Sequence, residues 1–597
     1  MSIRADNPRA AGLEAVLPCF EAFQAARLDF AHDLGKLAIP PERQGLSSNV
    51  PGGSYEVDGP EKVLEALERS DTLAASVAGL ADDLAPSVRQ SSMVAMGRLC
   101  LMSEALRAKV ASPALIEEVV KTIAAATSPA LLKTAMFLLH GCVRSPGAAD
   151  AAQAAVEANA LPALCERLED ADSSVKAAAV WCLAGIATHN AELAAEVANC
   201  GALPLLMLCA REPSLPLVRV AISCFGTLGK HDAAGAARVQ SEGAVELAAK
   251  MLKHRDALLR RHACRLLALC LQHPGASPAS PPPAHLSPPP SSHAPPTPAG
   301  DEGNGWLKKE AQDEVLVCMA ASSDNDAELG TFASALAAQL MRRSSSIAQE
   351  FFDKDVLALL VVQLSQATGG GSPLQPAAAL TALCNAVPEA AAAAVKLRCV
   401  KQLCALLDAS IATHVGAKLC AAVAAIANAD AECADAVAKA GGFRAMAHAT
   451  FLSNRRMSAA TATVAADAIA TAVGKTTNFK ELAWLVEALP FPSPEAARAA
   501  KAAAADADDG APAAVDDPKH VAAVLKALGT LLGAGGKEAM CIEFGKRGSL
   551  AKAQQAKHGG PLCKEGLKVL NGAFPKNMVD ATDPNYEREL LKKLPLQ

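Results

Sequence analysis

The chain has 597 residues, 51% of them hydrophobic but only 3% aromatic, and its 56 Lys and Arg against 62 Asp and Glu leave a formal charge of -6. A core built from alanine, leucine and valine excludes aromatic-rich sandwiches and barrels and points to tightly stacked helices. The eighteen cysteines include no C-x-x-C pair, no stretch approaches the ~20 apolar residues of a membrane span, and the first eleven residues carry charge without an apolar signal core. A soluble, intracellular chain is therefore expected, with its cysteines acting as small apolar residues and no metal bound.

Residues 1–39 are expected to form an amino-terminal helix, followed by a loop over 40–60 (PPERQGLSSNVPGGSYEVDGP). From 61 to 275 the chain repeats itself. Asn159-Ala160-Leu161-Pro162 returns 42 residues later as Gly201-Ala202-Leu203-Pro204 and again as Gly243-Ala244-Val245, while His189, His231 and His273 keep the same step. A period of about 40 to 47 residues marks helical solenoid repeats, in which no unit buries its apolar face alone. Within each unit, Val175, Ala179, Leu183 and Ile186 fall at helical spacing, and Leu217, Ala221, Phe225, Leu228 and Leu259, Ala263, Leu267, Cys270 repeat that face. The Asp172, Ser214 and Asp256 column supplies a side-chain oxygen at the start of each long helix. Glycine and proline at the preceding corner suit a left-handed cap and a helical first turn. Three helices per unit, one of them short, indicate an all-α, armadillo-type α-solenoid of about ten three-helix repeats carrying a Pro-rich loop insertion.

That insertion is Ala276–Gly305, whose proline triplets at 281–283 and 288–290 favour extended polyproline structure. It reads as a passive disordered loop, with docking of an SH3-like partner as the sharper alternative. The repeats resume over 306–490, where Ile426-Ala427-Asn428 followed by Ala440-Gly441-Gly442-Phe443 restates the earlier pattern. Between Trp306 and Val400 the register is weak, and a further loop is expected at 366–376 (QATGGGSPLQP). An Ala/Asp-rich linker at 494–518 precedes a basic, helical carboxy-terminal segment, 519–597.

Signals for chemistry are thin. Gly474-Lys475-Thr476 resembles the end of a phosphate-binding loop, but Ile469 occupies the place of its first glycine. The histidines at 189, 231 and 273 stand about 10 Å apart in stacked repeats, too far to share a metal ion, and are expected to cap the last carbonyls of their helices. No nucleophile elbow or carboxylate pair stands out, so neither enzyme activity nor a cofactor is expected. A tryptophan–asparagine ladder for basic peptides is excluded as well: after Trp181 the asparagine position is Gly185, and the tryptophan column continues as Ser223 and Arg265.

Charge is distributed unevenly. Lys250, Lys253, Arg255, Arg260, Arg261 and Arg265 face one acid, Asp256, and the segment from Lys519 onward holds thirteen Lys and Arg, among them Lys546, Arg547, Lys552 and Lys557, against seven Asp and Glu. Such blocks suit an acidic protein surface such as a microtubule, against the plainer reading of solvated helix faces. Nucleic acid is disfavoured by the scarcity of stacking aromatics.

The run Val16 to Arg27 (VLPCFEAFQAAR), with Phe30, resembles the opening helix of the ciliary central-apparatus armadillo family typified by sperm-associated antigen six, which starts with a VLxxFExxQxAR run. Gly97-Arg98-Leu99, the stretch from Leu168 through Trp181, His189 to Leu193 and Gly201 to Leu206 are similar to its repeats. Phe544, Gly548-Ser549-Leu550 and Pro584-Asn585-Tyr586 resemble its carboxy-terminal segment. The proline insertion, the Ala/Asp segment and the weak register depart from that family's principal member and suggest a divergent paralogue. The resemblance implies a non-enzymatic scaffold of the axonemal central apparatus in a cilium or flagellum, binding tubulin on a central-pair microtubule and neighbouring projection proteins. The flat, alanine-rich helix faces leave pairing with another copy or a paralogue open, membrane contact is not expected, and the alternative is a cytosolic adaptor holding a peptide or signalling partner in its groove.

Overall fold

The computed structural model describes residues 8–37, scattered positions from 65 to 83, 85–273, 307–321, 327–367, 372–409, 413–447, and in the last part 525, 529, 541, 549–554 and 561–582. It divides into two compact units, Met1–Pro298 and Ala299–Gln597. Every described element is helical or a turn. The expected loops at 40–60 and 494–518, the proline insertion at 276–305 and the 474–476 motif lie outside the described residues.

The first unit opens with α1 (Pro8–Leu37), packed against α2 (Pro86–Met102). Ala31 and Leu34 are buried there, and Arg98 donates to the Gly35 carbonyl at 2.6 Å, satisfying one of the free acceptors at the end of α1. Four three-helix repeats follow: α3 (Glu104–Val110), α4 (Pro113–Ala125), α5 (Pro129–Arg144); α6 (Ala149–Glu157), α7 (Ala160–Leu168), α8 (Ser173–Ala187); α9 (Ala191–Asn199), α10 (Ala202–Cys209), α11 (Leu215–Leu228); and α12 (Ala233–Ser241), α13 (Ala244–Met251), α14 (Ala257–Leu271). Each long helix packs on the long helix of the next repeat, from α2 through α5, α8 and α11 to α14. The expected apolar columns form this core: all twelve side chains are at most 2% exposed.

Two backbone devices set the repeat. Asn159, Gly201 and Gly243 adopt φ of 63°, 88° and 83°, turning the chain between the first and second helices of each unit. Asn190 and Asp232, 42 residues apart, cap α9 and α12 through bonds from Leu193 N at 2.7 Å and Gly235 N at 2.6 Å. The expected capping column at the long helices is only partly realised. Asp172 accepts from Ser174 N at 2.8 Å and Asp256 from Leu259 N at 2.7 Å, whereas Ser214 makes no cap hydrogen bond, and Pro216 has removed the N2 amide there.

In the second unit, α15 (Lys309–Ala320) and α16 (Ala327–Arg343) precede two complete repeats: α17 (Ser345–Asp353), α18 (Val356–Ala367), α19 (Leu374–Ala386), and α20 (Pro388–Lys396), α21 (Cys399–Ala409), α22 (Thr413–Ala427). Helices α23 (Ala431–Lys439) and α24 (Gly442–Ala447) begin another. Ordered repeats therefore occupy the region of weak register. Its corners are Asp355 and Arg398, at φ of 59° and 57°, in line with Gly441 at 78° but hidden from a search for glycine. The loop expected over 366–376 is shorter, because α18 runs to Ala367 and α19 starts at Leu374 with Pro376 in its first turn. Near the end, α25 (Ser549–Gln554), α26 (Pro561–Asn571) and α27 (Lys576–Thr582) are described. There Cys563, Leu567 and Leu570 bury one face of α26 while Lys564 and Lys568 stand outside. The all-α, armadillo-type solenoid architecture is thus present.

Candidate protein-binding face

Polar ladders at both ends of the long helices hold consecutive repeats in place. At the amino-terminal ends, Lys133 pairs with Asp172 at 3.6 Å, Lys176 with Glu212 at 2.5 Å, and Arg219 Nε donates to Asp256 at 2.9 Å. These cations recur every 43 residues, a column the 42-residue alignment of corners does not reveal. At the carboxy-terminal ends, His189 lies 2.6 Å from the Val143 carbonyl, His231 2.8 Å from Ala187 and His273 2.9 Å from Lys230, each through Nε2. The histidines were expected to cap their own helices. They cap the preceding repeat instead, because a side chain leaving the last turn lies closer to the stacked neighbour's free carbonyls than to its own. Lys230 adds bonds to the Thr188 carbonyl and Gln272 to that of Lys230, at 2.6 and 2.7 Å.

Between these ladders the long helices expose a face whose central column reads His140, Trp181, Ser223, Arg265. Trp181 is 44% exposed, and its ring meets that of His140 with centroids 5.3 Å apart. His140 Nδ1 lies 3.1 Å from the Trp181 carbonyl, and burial, reinforced by Arg144, pushes its imidazole down to about 4. At Gly185 a Cβ would stand 2.8 Å from Val143 Cγ2 and 3.5 Å from His140 Nδ1. A side chain at Gly185 would thus press on Val143 of the preceding repeat.

The basic cluster lies on the last described repeat of the first unit. Lys250 lies in the last turn of α13, Lys253 and Arg255 stand in the following turn, and Arg260, Arg261 and Arg265 ride on α14. Lys250, Lys253, Arg255 and Arg265 are exposed, while Arg260 and Arg261 are half-buried. Asp256 is engaged by Arg219 and by the α14 amide, and the guanidinium holds its carboxyl below the usual carboxylate range. The cluster's acid is therefore tied inward, and the exposed charge is positive. Lys230, half-buried nearby, is pushed down by burial and by Arg265. Of the carboxy-terminal candidates, Lys552 lies on α25, and Lys546, Arg547 and Lys557 fall outside the described residues. The two basic groups belong to different units.

Among the described residues, no three His, Cys, Asp or Glu side chains form a group able to hold a metal ion, and no single helix is long and apolar enough to cross a membrane.

The armadillo/beta-catenin-like repeat family model matches residues 149–188, the span of α6 through α8. A comparison with curated proteins finds no match. Among solved structures, an engineered protein from a structural genomics consortium is 17% identical, with a TM-score of 0.46, covering 74% of this chain and 98% of its own. A designed armadillo repeat protein in complex with the peptide (KR)4 is 18% identical at a TM-score of 0.32, covering 40% and 98%. A computationally designed armadillo repeat protein for modular peptide recognition is 18% identical at 0.31, covering 39% and 97%. The helix triplets and the matched repeat define the protein as an armadillo-type α-solenoid, a scaffold suited to binding other proteins.

Proposed function

We propose that this protein is a non-enzymatic structural scaffold of the axonemal central apparatus, which binds the acidic surface of a central-pair microtubule and positions neighbouring projection proteins for ciliary motility. The observation that carries the binding half is the α13–α14 cluster, where Lys250, Lys253, Arg255 and Arg265 are exposed and Asp256 is turned toward Arg219. Clustered cations with their local acid occupied favour an acidic partner through long-range attraction screened by salt. The ciliary setting is supported by the sequence resemblance of the amino-terminal helix, the central repeats and the carboxy-terminal segment.

The test is co-sedimentation of the full chain with microtubules across a salt series, for the wild type and for a Lys250→Glu, Arg255→Glu, Arg265→Glu variant. Salt-sensitive binding that the variant loses is expected, together with a tagged protein that stays along the axoneme centre after detergent extraction. Binding indifferent to both salt and charge reversal, or complete extraction into the soluble fraction, refutes the proposal. A second reading, a cytosolic adaptor holding a peptide on the long-helix face, is favoured by the exposure of Trp181 beside His140. Under it, Trp181→Ala abolishes partner binding while the charge reversals do not.

A further inference from the structure

We propose that Cys165 and Cys200 are a disulfide-forming pair, oxidised by hydroperoxide into a cross-link between consecutive repeats of the first unit. Cys165 lies on α7 and Cys200 caps the carboxy-terminal end of α9, and their sulfurs stand 3.4 Å apart. A disulfide requires about 2.05 Å, so the sulfurs need to approach by about 1.4 Å, the scale of small side-chain rotations. Both residues are half-buried, leaving a path for a small oxidant.

Other cysteines lack one or other of these properties. Cys100 and Cys142 also meet, at 3.9 Å, but both are fully buried. Cys182, Cys224 and Cys270 are buried, and burial pushes their thiols up. Cys404 repeats the placement of Cys165 in the second unit, 4.0 Å from the Ala440 carbonyl as Cys165 is 3.8 Å from that of Cys200, but alanine stands where the second sulfur would be. At Cys200, the hydrogen bond from Cys165 and the backbone amide of Ala202 lower the thiol, against the opposing effect of burial. The Ala202 amide beside Cys200 favours a thiolate there, which makes Cys200 the attacking sulfur of the proposed pair and Cys165 the resolving one.

The chemistry closes without a further reagent. The Cys200 thiolate attacks one oxygen of hydrogen peroxide, the O–O bond breaks, and the departing hydroxide takes up the thiol proton as water, leaving a sulfenic acid. The Cys165 sulfur then attacks that sulfenic sulfur, the S–S bond forms, the S–O bond breaks, and the hydroxyl leaves as water with the Cys165 proton. Two thiols lose two electrons, and one peroxide is reduced to two waters. The product ties α7 to the corner between α9 and α10, fixing two neighbouring repeats in one arrangement.

The test treats the full, reduced chain with hydrogen peroxide, alkylates the remaining thiols and maps peptides by mass spectrometry. A Cys165–Cys200 linked peptide is expected at peroxide doses that leave Cys100 and Cys142 alkylatable. Cys165→Ser is expected to lose the link and to accumulate a dimedone-trapped sulfenic acid at Cys200, and Ala440→Cys to gain a second link, to Cys404. Full alkylation of both thiols after oxidation, advance of wild-type Cys200 to sulfinic acid without a link, or linkage of Cys200 to another cysteine overturns the proposal.

Discussion

Replacing Gly141 with alanine reports on how closely two long helices stack. Gly141 lies in α5 against Gly97 of α2, and a Cβ added there would stand 2.8 Å from the Gly97 carbonyl oxygen, 3.2 Å from its Cα and 3.3 Å from Cys100 Cβ. An ordinary carbon–oxygen contact is about 3.3 to 3.6 Å, so the two backbones must separate by roughly half an ångström. The atoms in the way are mainly backbone and cannot rotate aside. Overpacking of this kind costs about 1–3 kcal/mol, against about 1 kcal/mol gained by removing a glycine from a helix interior. The net effect is a loss of about 1 kcal/mol. Gly226 of α11 provides the opposite case, because its Cβ would meet Leu266 Cα at an ordinary 3.4 Å. There the helix-propensity gain dominates, and Gly226→Ala raises stability by up to about 1 kcal/mol. Amide hydrogen exchange on the intact chain, followed in peptides from α2 and α5 and from α11 and α14, reads both changes locally. A Gly141→Ala chain exchanging more slowly than wild type across α2 and α5 would show that the close approach is not what selects glycine.

At Arg398, which holds φ of 57° without being glycine, Arg398→Gly relieves left-handed strain and is expected to stabilise the α20–α22 repeat by about 0.5–1 kcal/mol, read as slower exchange there. Phe225→Ala removes a fully buried ring of α11 and is expected to cost about 3–5 kcal/mol, seen as early protease cleavage in the α11–α14 region. His140 carries a pH dependence: its folded value of about 4 lies below the unfolded 6.5, so the folded state prefers the neutral ring. Its contribution is complete above pH 6.5, declines as the pH falls and is gone below 4, amounting to about 1–2 kcal/mol for a ring still partly in contact with solvent. Stability of α5 and α8 measured from pH 7 to 4 should lose that slope in His140→Gln, and an unchanged slope would assign it to other groups.

How much was legible in the sequence follows from which forces act along one helix and which act across repeats. The apolar columns through Val175, Leu217 and Leu259 announced both helix and core, because a spacing of three and four places side chains on one face whatever packs against it. The Gly201 and Gly243 corners were equally plain, since the left-handed turn selects glycine. Where Asp355 and Arg398 accept that conformation, the same corner carries no mark, and the repeats between Trp306 and Val400 were obscured. The histidine column was visible, but its acceptors were not, because Val143 and Ala187 become neighbours of His189 and His231 only when repeats stack.

The basic cluster around Arg265 could be counted from composition, yet only the fold shows Asp256 turned toward Arg219 and Lys250, Lys253, Arg255 and Arg265 exposed. Cys165 and Cys200 looked like two more small apolar residues until the α7–α9 packing set their sulfurs side by side. Sequence by itself determined the helices, their buried faces and the repeat, because these depend on local periodicity and side-chain volume. Tertiary structure decided which polar groups meet and which stay exposed, because those contacts join residues 35 to 46 positions apart, across the boundary between repeats.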